Sequence, residues 1–208
     1  NKAISTSDII FICVGTPTRK GSIKVDLSFV NKCTKDILKY SKRKKIIVTK
    51  STVPVGTGDE IEKILKKKKK LFTVISNPEF LREGEAIRDF RYPDRIVIGS
   101  NEKKAFNTMR KLYAPLINKG SKFFTTSRRG AELIKYASNA FLATKITFIN
   151  ELANLCEKSG VNIEDISLGM GSDSRIGGRF LRAGPAYGGS CFPKDTKGLV
   201  SAAEKYKI

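Results

Sequence analysis

Short, continuously apolar segments alternate with longer segments of helical periodicity through the first 126 residues. The apolar segments have the length and composition of strands buried on both faces: IIFICV (9–14), KIIVTKST (45–52), LFTVISNP (71–78), DRIVIGS (94–100) and KFFTT (122–126). The segments between them space their apolar residues as helices do: DLSFVNKCTKDILKY (26–40), GDEIEKILKK (58–67) and NEKKAFNTMRKLYAPL (101–116). This alternation predicts an α/β fold, a Rossmann-like doubly wound parallel sheet.

The pattern changes after residue 127. Residues 127–160 contain no proline, and their apolar positions recur at helical spacing, which predicts a helix of about 30 residues, roughly 45 Å long. Helices of that length usually bridge domains or form subunit interfaces. A short capped helix (162–171), a loop rich in glycine and arginine (172–195) and a last helix follow. We therefore predict two domains, a sheet domain at 1–127 and an all-α central or dimerisation domain at 128–208.

The net charge of +20 would by itself suggest nucleic-acid binding. However, much of the excess lies in two lysine-rich runs, 39–45 and 66–70, at the predicted ends of helices, where lysine complements the helix dipole. Lysine also outnumbers arginine 28 to 12, whereas surfaces that bind bases favour arginine. A solvated surface is the favoured explanation, and nucleic-acid binding is the last-ranked alternative.

The longest strongly apolar stretch has strand length, so a cytoplasmic protein is expected.

The absence of histidine restricts the chemistry that the chain can perform. It excludes Ser-His-Asp triads, Cys-His dyads and nearly all histidine-ligated metal sites. The four cysteines are widely spaced without a C-x-x-C pair, so neither a metal site nor a disulfide framework is predicted. Acid–base chemistry must therefore fall to Lys, Asp, Glu, Tyr or water.

Cys191 in GGSCFPKD (188–195) is the candidate nucleophile. Two glycines let a ligand approach the backbone, and the start of a helix together with Lys194 would favour the thiolate. The alternative is a small buried hydrophobic residue, the commonest environment of a free cysteine. The other three cysteines lie within apolar patterns and are assigned to packing: Cys13, Cys33 and Cys156.

Two polar pairs are spaced four residues apart, so on a helix each pair would share a face. Glu79 and Glu83 form the first pair, for which a solvated first helical turn is the simpler explanation. Lys135 and Asn139 form the second pair, beside the apolar stripe of the long helix, and they suggest a fixed polar site. Three arginines among the loop glycines suit a diphosphate or an ordinary basic loop: Arg175, Arg179 and Arg182.

Together these motifs resemble the nucleotide-sugar dehydrogenases. The matching stretches run in family order over nearly the whole chain: FICVGTPT, KSTVPVGT, NPEFLREGEAIRDFRYPDRIVIG, ELIKYASNAFLATKITFINE and RIGGRFLRAGPAYGGSCFPKD. NPEFLREG with PDRIVIG looks more like the branch that acts on UDP-glucose than those that act on GDP-mannose or UDP-N-acetylmannosamine. The resemblance implies that two molecules of NAD+ each accept one hydride from C6 of UDP-glucose, giving UDP-glucuronate.

The resemblance also assigns roles to residues. Cys191 matches the nucleophile that forms a thiohemiacetal and then a thioester, and Lys135 matches the residue that stabilises the oxyanion, with Asn139 its hydrogen-bonding companion. Asp195 and Thr52 match residues that hold the catalytic water. Glu79 matches the base of thioester hydrolysis.

Further matches concern binding. The cofactor-binding positions are Val14, Gly15, Thr16, Pro17, Thr18, Ser51, Thr52, Val53, Glu83 and Lys194. The substrate-binding positions are Glu79, Phe80, Leu81, Arg82, Glu83, Lys135, Asn139, Arg175, Arg182, Tyr187 and Gly188. Arg175 matches an arginine that reaches the sugar site of a partner subunit, so a homodimer through helix 128–159 is expected.

The chain departs from the family pattern in one motif. No G-x-G-x-x-G turn, which seats the NAD pyrophosphate on a helix N-terminus, occurs among the 208 residues. The resemblance therefore implies a fragment without the first mononucleotide unit and the C-terminal domain of the family, with impaired activity. An inactive remnant that keeps only the dimerisation helix is the alternative.

Overall fold

The computed structural model describes residues 2–66 and 71–208. Most of the lysine run predicted to end a helix, residues 67–70, lies outside the described residues. The chain divides into two compact units, residues 1–135 and 136–208, and each is described separately.

The first unit contains a five-stranded sheet and the helices around it. Its strands are β1 (Ile9–Ile12), β2 (Lys45–Thr49), β3 (Phe72–Ser76), β4 (Arg95–Ser100) and β5 (Lys122–Thr126). Its helices are α1 (Lys2–Thr6), α2 (Ser28–Tyr40), α3 (Thr57–Leu65), α4 (Ala86–Arg91), α5 (Lys103–Leu112) and α6 (Ala114–Ile117). All five predicted strands are present, whereas α1 was not predicted.

The strands lie in the order β1-β2-β3-β4-β5, and one junction corrects the prediction of a wholly parallel sheet. β1, β2 and β3 are parallel, and β4 is parallel to β5, but β3 and β4 pair antiparallel. A parallel connection needs a crossover element that packs across the sheet. The only helix between β3 and β4 is α4, which has six residues and buries none of them, so the chain re-enters the sheet at the edge where β3 ends.

Helices cover both faces of the sheet, as a doubly wound fold requires. Neighbouring residues of one strand enter different cores: Ile47 packs with residues of α2 and α3, whereas Val48 packs with residues of α5. Both side chains are fully buried, which explains why the strands are continuously apolar rather than alternating.

Gly99 in β4 lies where the first turn of the long helix, which begins at Arg128, approaches the sheet. A Cβ there would lie 2.6 Å from the Ser127 carbonyl oxygen and 2.8 Å from Arg128 Cα, which are backbone atoms. We expect Gly99→Ala to lower the free energy of unfolding by about 3 kcal/mol, the upper range for overpacking. The matched control is Gly169→Ala in a helix of the second unit, which meets nothing within 4 Å and should be neutral or stabilising. Equal losses for both variants in denaturant melts would contradict this packing argument.

The second unit is helical. α7 (Arg128–Ser159) begins in the first unit and continues into the second, which also holds α8 (Ile163–Gly171) and α9 (Phe192–Lys205). The 32 residues of α7 confirm the predicted long helix. The predicted cap of α8 is also confirmed, because the side chain of Asn162 accepts a hydrogen bond from the Glu164 N–H. Within the described part of the chain, none of the helices is long and apolar enough to cross a membrane.

Candidate active site

Polar residues of the first unit gather where β1, β2 and β3 end, the edge at which such sheets bind ligands. The loops after β1 and β2 are tied to each other: Thr16 Oγ1 donates to the Thr52 carbonyl at 2.7 Å, and Ser51 Oγ donates to the Val14 carbonyl at 2.6 Å. Gly15 has no atom within 4 Å of where a Cβ would lie, so the backbone is open there. Hydrogen bonds thus join the predicted cofactor-binding segments 14–18 and 51–53 at this edge of the sheet.

Glu79 is the acceptor at the centre of this edge. Its carboxylate accepts hydrogen bonds from the Leu81 N–H at 2.6 Å and from Thr52 Oγ1 at 3.4 Å, and it lies 3.2 Å from Lys135 Nζ. The expectation that Glu79 and Glu83 share a helical face is wrong. Residues 77–82 form an irregular loop, because the Glu79 side chain binds the backbone of its own loop and α4 begins only at Ala86.

Lys135 is buried, with 4% of its surface exposed, although lysine is almost never buried without a partner. Besides Glu79, its ammonium lies 5.3 Å from the centroid of the Phe80 ring, whose electrons attract a cation. Arg95 stacks on the same ring at 4.0 Å. Three of the predicted residues, Thr52, Glu79 and Lys135, are therefore brought together.

Two buried charged residues in the first turns of α7 were not singled out from the sequence. The Glu132 carboxylate accepts hydrogen bonds from the Gly56 N–H at 2.7 Å, the Gly58 N–H at 2.8 Å and Ser76 Oγ at 2.9 Å. It thus caps the N-terminus of α3 from another helix. Arg128, 3% exposed, forms ion pairs with Asp59 and Glu62 of α3. Their only signal in the sequence is charge near the helix start, which is equally typical of solvated residues.

Lys50 and Asn77 were also missed, and they follow β2 and β3 directly. Asn77 is buried; its Nδ2 donates to the Val97 carbonyl at 2.9 Å, and its Oδ1 accepts from the Tyr113 hydroxyl at 2.6 Å. Burial raises the pKa of that hydroxyl to about 12. Burial also lowers the pKa of Lys50 to about 8, although the negative charge of Glu79 opposes the change.

In the second unit, predicted residues gather at the start of α9. Asp195 is 1% exposed; it accepts hydrogen bonds from Asn139 Nδ2 at 2.5 Å and from Lys194 Nζ at 2.5 Å. Cys191 lies at the N-cap position of α9, one turn before Asp195, and it is exposed. Its sulfur lies 3.7 Å from Ser190 Oγ. The alternative that Cys191 is a buried packing residue is therefore wrong.

The packing assignment of the other cysteines is correct for two of them. Cys156 is buried, and Cys33 is partly buried against the core that α2 and α3 cover. Cys13 is exposed, because it follows the last residue of β1 rather than lying within the strand. Partial burial of its thiol raises the pKa, and the ammonium of Lys50 opposes that rise.

The glycine- and arginine-rich loop is held to α7 and α9 within the second unit. Lys145 Nζ donates to the Ile176 and Gly177 carbonyls at 3.0 and 2.9 Å, and Asn150 accepts from the Gly184 N–H at 2.8 Å. Phe180 and Tyr187 pack edge-on against the ring of Phe192, the residue after Cys191. Phe180 adopts this position with φ at 66°, an uncommon conformation for a residue with a side chain.

The remaining predicted positions are at the surface. Arg175 pairs with Asp173 at 2.6 Å, and Arg82 pairs with Asp89 at 2.6 Å, so each guanidinium already has a carboxylate partner. The other exposed positions are Pro17, Glu83, Arg179, Arg182 and Gly188. Tyr187 contacts the Phe192 ring, and the binding roles of all these positions stay predictions.

Comparison with known proteins agrees with this fold. Residues 1–117 match the NAD binding domain of the UDP-glucose/GDP-mannose dehydrogenase family, and residues 129–208 match its central domain. The structure superposes on a UDP-glucose dehydrogenase from the archaeon Pyrobaculum islandicum with a TM-score of 0.92 at 38% identity, covering 100% of this chain and 48% of that one. It superposes on a GDP-mannose dehydrogenase from Pseudomonas aeruginosa with a TM-score of 0.77 at 31% identity, covering 100% of this chain and 49% of that one.

The fold of the first unit is the Rossmann-like fold of an NAD-binding domain. The chain belongs to the UDP-glucose/GDP-mannose dehydrogenase family. Among curated proteins, it is 54% identical to the UDP-glucose 6-dehydrogenase of Rhizobium meliloti over 98% of this chain and 48% of that protein. It is also 54% identical to the UDP-glucose 6-dehydrogenase of Rickettsia prowazekii, over 97% of this chain and 46% of that protein. The chain thus spans about half the length of the curated relatives it matches.

Proposed function

We propose that this chain is part of an NAD-dependent enzyme that oxidises C6 of UDP-glucose to a carboxylate, giving UDP-glucuronate, with Cys191 as the covalent nucleophile. Membership of the family supports the reaction class, and the identity to UDP-glucose 6-dehydrogenases supports the substrate. The observation in the molecule that carries the proposal is the exposed thiol of Cys191 at the start of α9, one turn before the buried Asn139–Asp195–Lys194 network.

The proposed chemistry needs a nucleophile that holds an aldehyde until its second oxidation, and a thiol does this better than a hydroxyl. The sulfur of Cys191 bonds to the aldehyde carbon, and the thiol proton goes to the aldehyde oxygen. That oxygen develops negative charge during the addition, which a cation would stabilise, and the resemblance to the family gives this role to Lys135. After the second oxidation, the oxygen of a water bonds to the thioester carbon and a base accepts a proton from that water, a role that the resemblance gives to Glu79. The carbon–sulfur bond breaks, the sulfur of Cys191 leaves as a thiolate, and that proton restores the thiol.

NAD, when bound, supplies the hydride acceptor for both oxidations. The chain offers residues that suit part of this cofactor: the open backbone at Gly15 and the bonded loops 14–18 and 51–53 lie at the carboxyl ends of parallel strands. The glycine-rich turn that would hold the pyrophosphate does not occur in the 208 residues. We therefore propose that the 208-residue chain binds NAD weakly and forms little or no NADH with UDP-glucose.

A dimer through α7 is part of the proposal. Three large apolar side chains of α7 are exposed at intervals of seven residues, so they lie along one face of the helix: Phe141 at 66%, Phe148 at 49% and Leu155 at 61%. A second copy of the same helix presents the same stripe, and a two-fold axis across it would bury both stripes. The occupant that we propose for this face is therefore a second copy of this chain.

Cysteine protection tests the proposed substrate without requiring turnover. Cys13 and Cys191 are both exposed, so peptide mass spectrometry can follow the alkylation of each by iodoacetamide in one sample. We expect UDP-glucose to slow alkylation of Cys191 while leaving Cys13, which lies beside the proposed NAD loop, unchanged. An excess of about tenfold over Kd leaves roughly a tenth of the sites free, so alkylation should slow by about tenfold.

The same experiment separates the alternatives. Stronger protection of Cys191 by GDP-mannose or UDP-N-acetylmannosamine would replace UDP-glucose with that sugar nucleotide. No protection by any of the three, in a chain that melts cooperatively, would contradict the proposed role of Cys191. Steady NADH formation that Cys191→Ser abolishes would support the reaction and contradict the expected loss of activity.

A further inference from the structure

The glycine- and arginine-rich loop depends on contacts with the helices around it. It joins α8 to α9 over residues 172–191, and its residues form turns and bends rather than a helix or a strand. Ordered loops of this length are uncommon in compact domains, and those that occur usually carry a function. The loop holds the predicted substrate-binding positions Arg175, Arg182, Tyr187 and Gly188 and ends at Cys191. A contact that fixes its conformation therefore also fixes these positions.

Lys145 of α7 makes such a contact through its ammonium group. Its Nζ donates to the carbonyl oxygens of Ile176 at 3.0 Å and Gly177 at 2.9 Å. Within the described part of the chain, both hydrogen-bond acceptors of this ammonium are thus backbone oxygens of one turn. The N–H groups of the same two residues donate to the Asp173 carbonyl at 2.9 and 2.8 Å, which closes the turn. Hydrogen bonds from an ionised donor are the stronger kind, so Lys145 ties this turn to α7.

α8 holds the segment that follows this turn. A Cβ on Gly171, the last residue of α8, would lie 2.7 Å from Gly178 Cα, so the backbone of the loop lies directly against the helix. Ser167 Oγ donates to the Leu181 carbonyl at 2.7 Å, and the Leu181 side chain is buried. Residues 176–181 are therefore fixed at one end by Lys145 and at the other by α8.

Phe180 lies in this segment and connects it to the start of α9. Its φ of 66° is costly for a residue with a side chain and persists only where the surrounding structure imposes it. In this conformation the Phe180 ring meets the ring of Phe192 edge-on, with centroids 6.0 Å apart. Phe192 directly follows Cys191, so the turn that Lys145 holds is linked through two aromatic rings to the proposed nucleophile.

We propose that Lys145 is a positioning residue for the sugar nucleotide, which it serves by holding the loop in the conformation that receives this ligand. The inference rests on the proposed function, in which the loop helps to bind UDP-glucose beside Cys191. Lys145 acts through the loop backbone, so its loss should weaken binding and leave the reactivity of the thiol unchanged. A loop that is ordered in only a fraction of the molecules raises the apparent Kd by the inverse of that fraction.

Hydrogen–deuterium exchange of the 208-residue chain without ligand tests the anchor. Lys145→Met keeps the apolar stem and removes the donors, Lys145→Arg keeps the charge and several donors, and Lys158→Met is the control at an exposed position of α7. We expect Lys145→Met to speed exchange of the peptide with the Ile176 and Gly177 N–H groups by about tenfold, because one hydrogen bond to a charged group corresponds to about that factor. Lys145→Arg and Lys158→Met should exchange as the wild type does.

Alkylation of Cys191 by iodoacetamide, with and without UDP-glucose, tests the positioning role. Without ligand, the rate in Lys145→Met should stay close to that of the wild type, because the thiol is already exposed. The UDP-glucose concentration for half-maximal protection should rise by about tenfold in Lys145→Met and recover in Lys145→Arg. If circular dichroism shows that Lys145→Met does not fold, Lys145→Gln replaces it in both measurements.

The outcomes separate this inference from the function on which it rests. Unchanged exchange in Lys145→Met would overturn the anchor, and faster exchange with unchanged protection would overturn the positioning role. Equal weakening of protection in Lys145→Met and Lys145→Arg would also contradict it, since the conservative variant keeps the donors. Faster exchange in Lys145→Met, together with a wild type that UDP-glucose does not protect, would support the anchor and contradict the proposed function.

Discussion

Glu132→Ala is expected to lower the free energy of unfolding by about 3 kcal/mol and Tm by roughly 6–12 °C. The carboxylate is 2% exposed and is the acceptor for the Gly56 N–H, the Gly58 N–H and Ser76 Oγ. Alanine would leave these donors buried without that acceptor, and each orphaned backbone donor costs about 1–3 kcal/mol. The measurement is chemical and thermal denaturation followed by circular dichroism.

The matched control for this prediction is Glu151→Ala on the same helix. Glu151 is exposed, so its removal should change stability by less than about 0.5 kcal/mol. If Glu132→Ala and Glu151→Ala behaved alike, the cap on α3 would not contribute to stability as inferred.

Glu132→Gln separates the charge of the buried residue from its shape. Burial raises the pKa of Glu132 above its ordinary 4.5, although its three donors lower it. The folded state therefore binds the proton more tightly than the unfolded state, and this contribution to stability falls as the pH rises from 4.5 through the raised value. Glutamine has no proton to lose, so the stability of the wild type relative to Glu132→Gln should decline over that pH window. If the wild type instead became more stable relative to Glu132→Gln as the pH rose, the folded state would favour the charged form of Glu132.

Phe141→Glu combined with Phe148→Glu is expected to convert a dimer into a monomer. Both side chains are about half or more exposed on one face of α7, and a dimer would bury two copies of each. Burying a phenylalanine contributes about 1.5–3 kcal/mol, and facing carboxylates would add repulsion. The loss across two copies of two sites is enough to weaken association more than a thousandfold. Sedimentation over a range of concentrations measures the change.

The control for the dimer is Leu168→Glu on α8, which also replaces an exposed apolar residue, 73% exposed, in the second unit. It should leave the sedimentation coefficient of the chain unchanged. A wild type that sediments as a monomer at all concentrations would reject the dimer. Dissociation by Leu168→Glu and not by the double variant would move the interface away from the α7 stripe.

The elements that the sequence predicted correctly are those whose burial leaves a local pattern. β2 and β3 contain runs of apolar residues that are buried on both faces of the sheet, and α7 has no proline over its length. Cys191 was singled out because glycines, a proline and a lysine surround it, and its exposed position at the start of α9 agrees with that choice. The alternation of strands and helices was sufficient for the fold class.

The elements that the sequence did not predict depend on partners distant in the chain. Glu132 acts as a cap on residues more than seventy positions away, and no periodicity distinguishes it from a solvated glutamate. Glu79 lies in an irregular loop rather than in a helical turn, and its carboxylate contacts Thr52 and Lys135, which are remote in sequence. The antiparallel junction of β3 and β4 also escaped prediction, since strand direction depends on which edge the connection crosses and not on strand composition.

The sequence by itself determined the family, the five strands and the long helix, because motif spacing and hydrophobic period are local properties, whereas the reactive roles that it assigns stay predictions. Only the tertiary structure decided which charges are buried together. The environment of Lys50 is the clearest example: burial and Lys135 lower its pKa, whereas Glu79 and Cys13 raise it, and these three residues lie on other segments of the chain. Burial and electrostatic energy depend on the distances between groups in space, and those distances cannot be derived from positions along the chain.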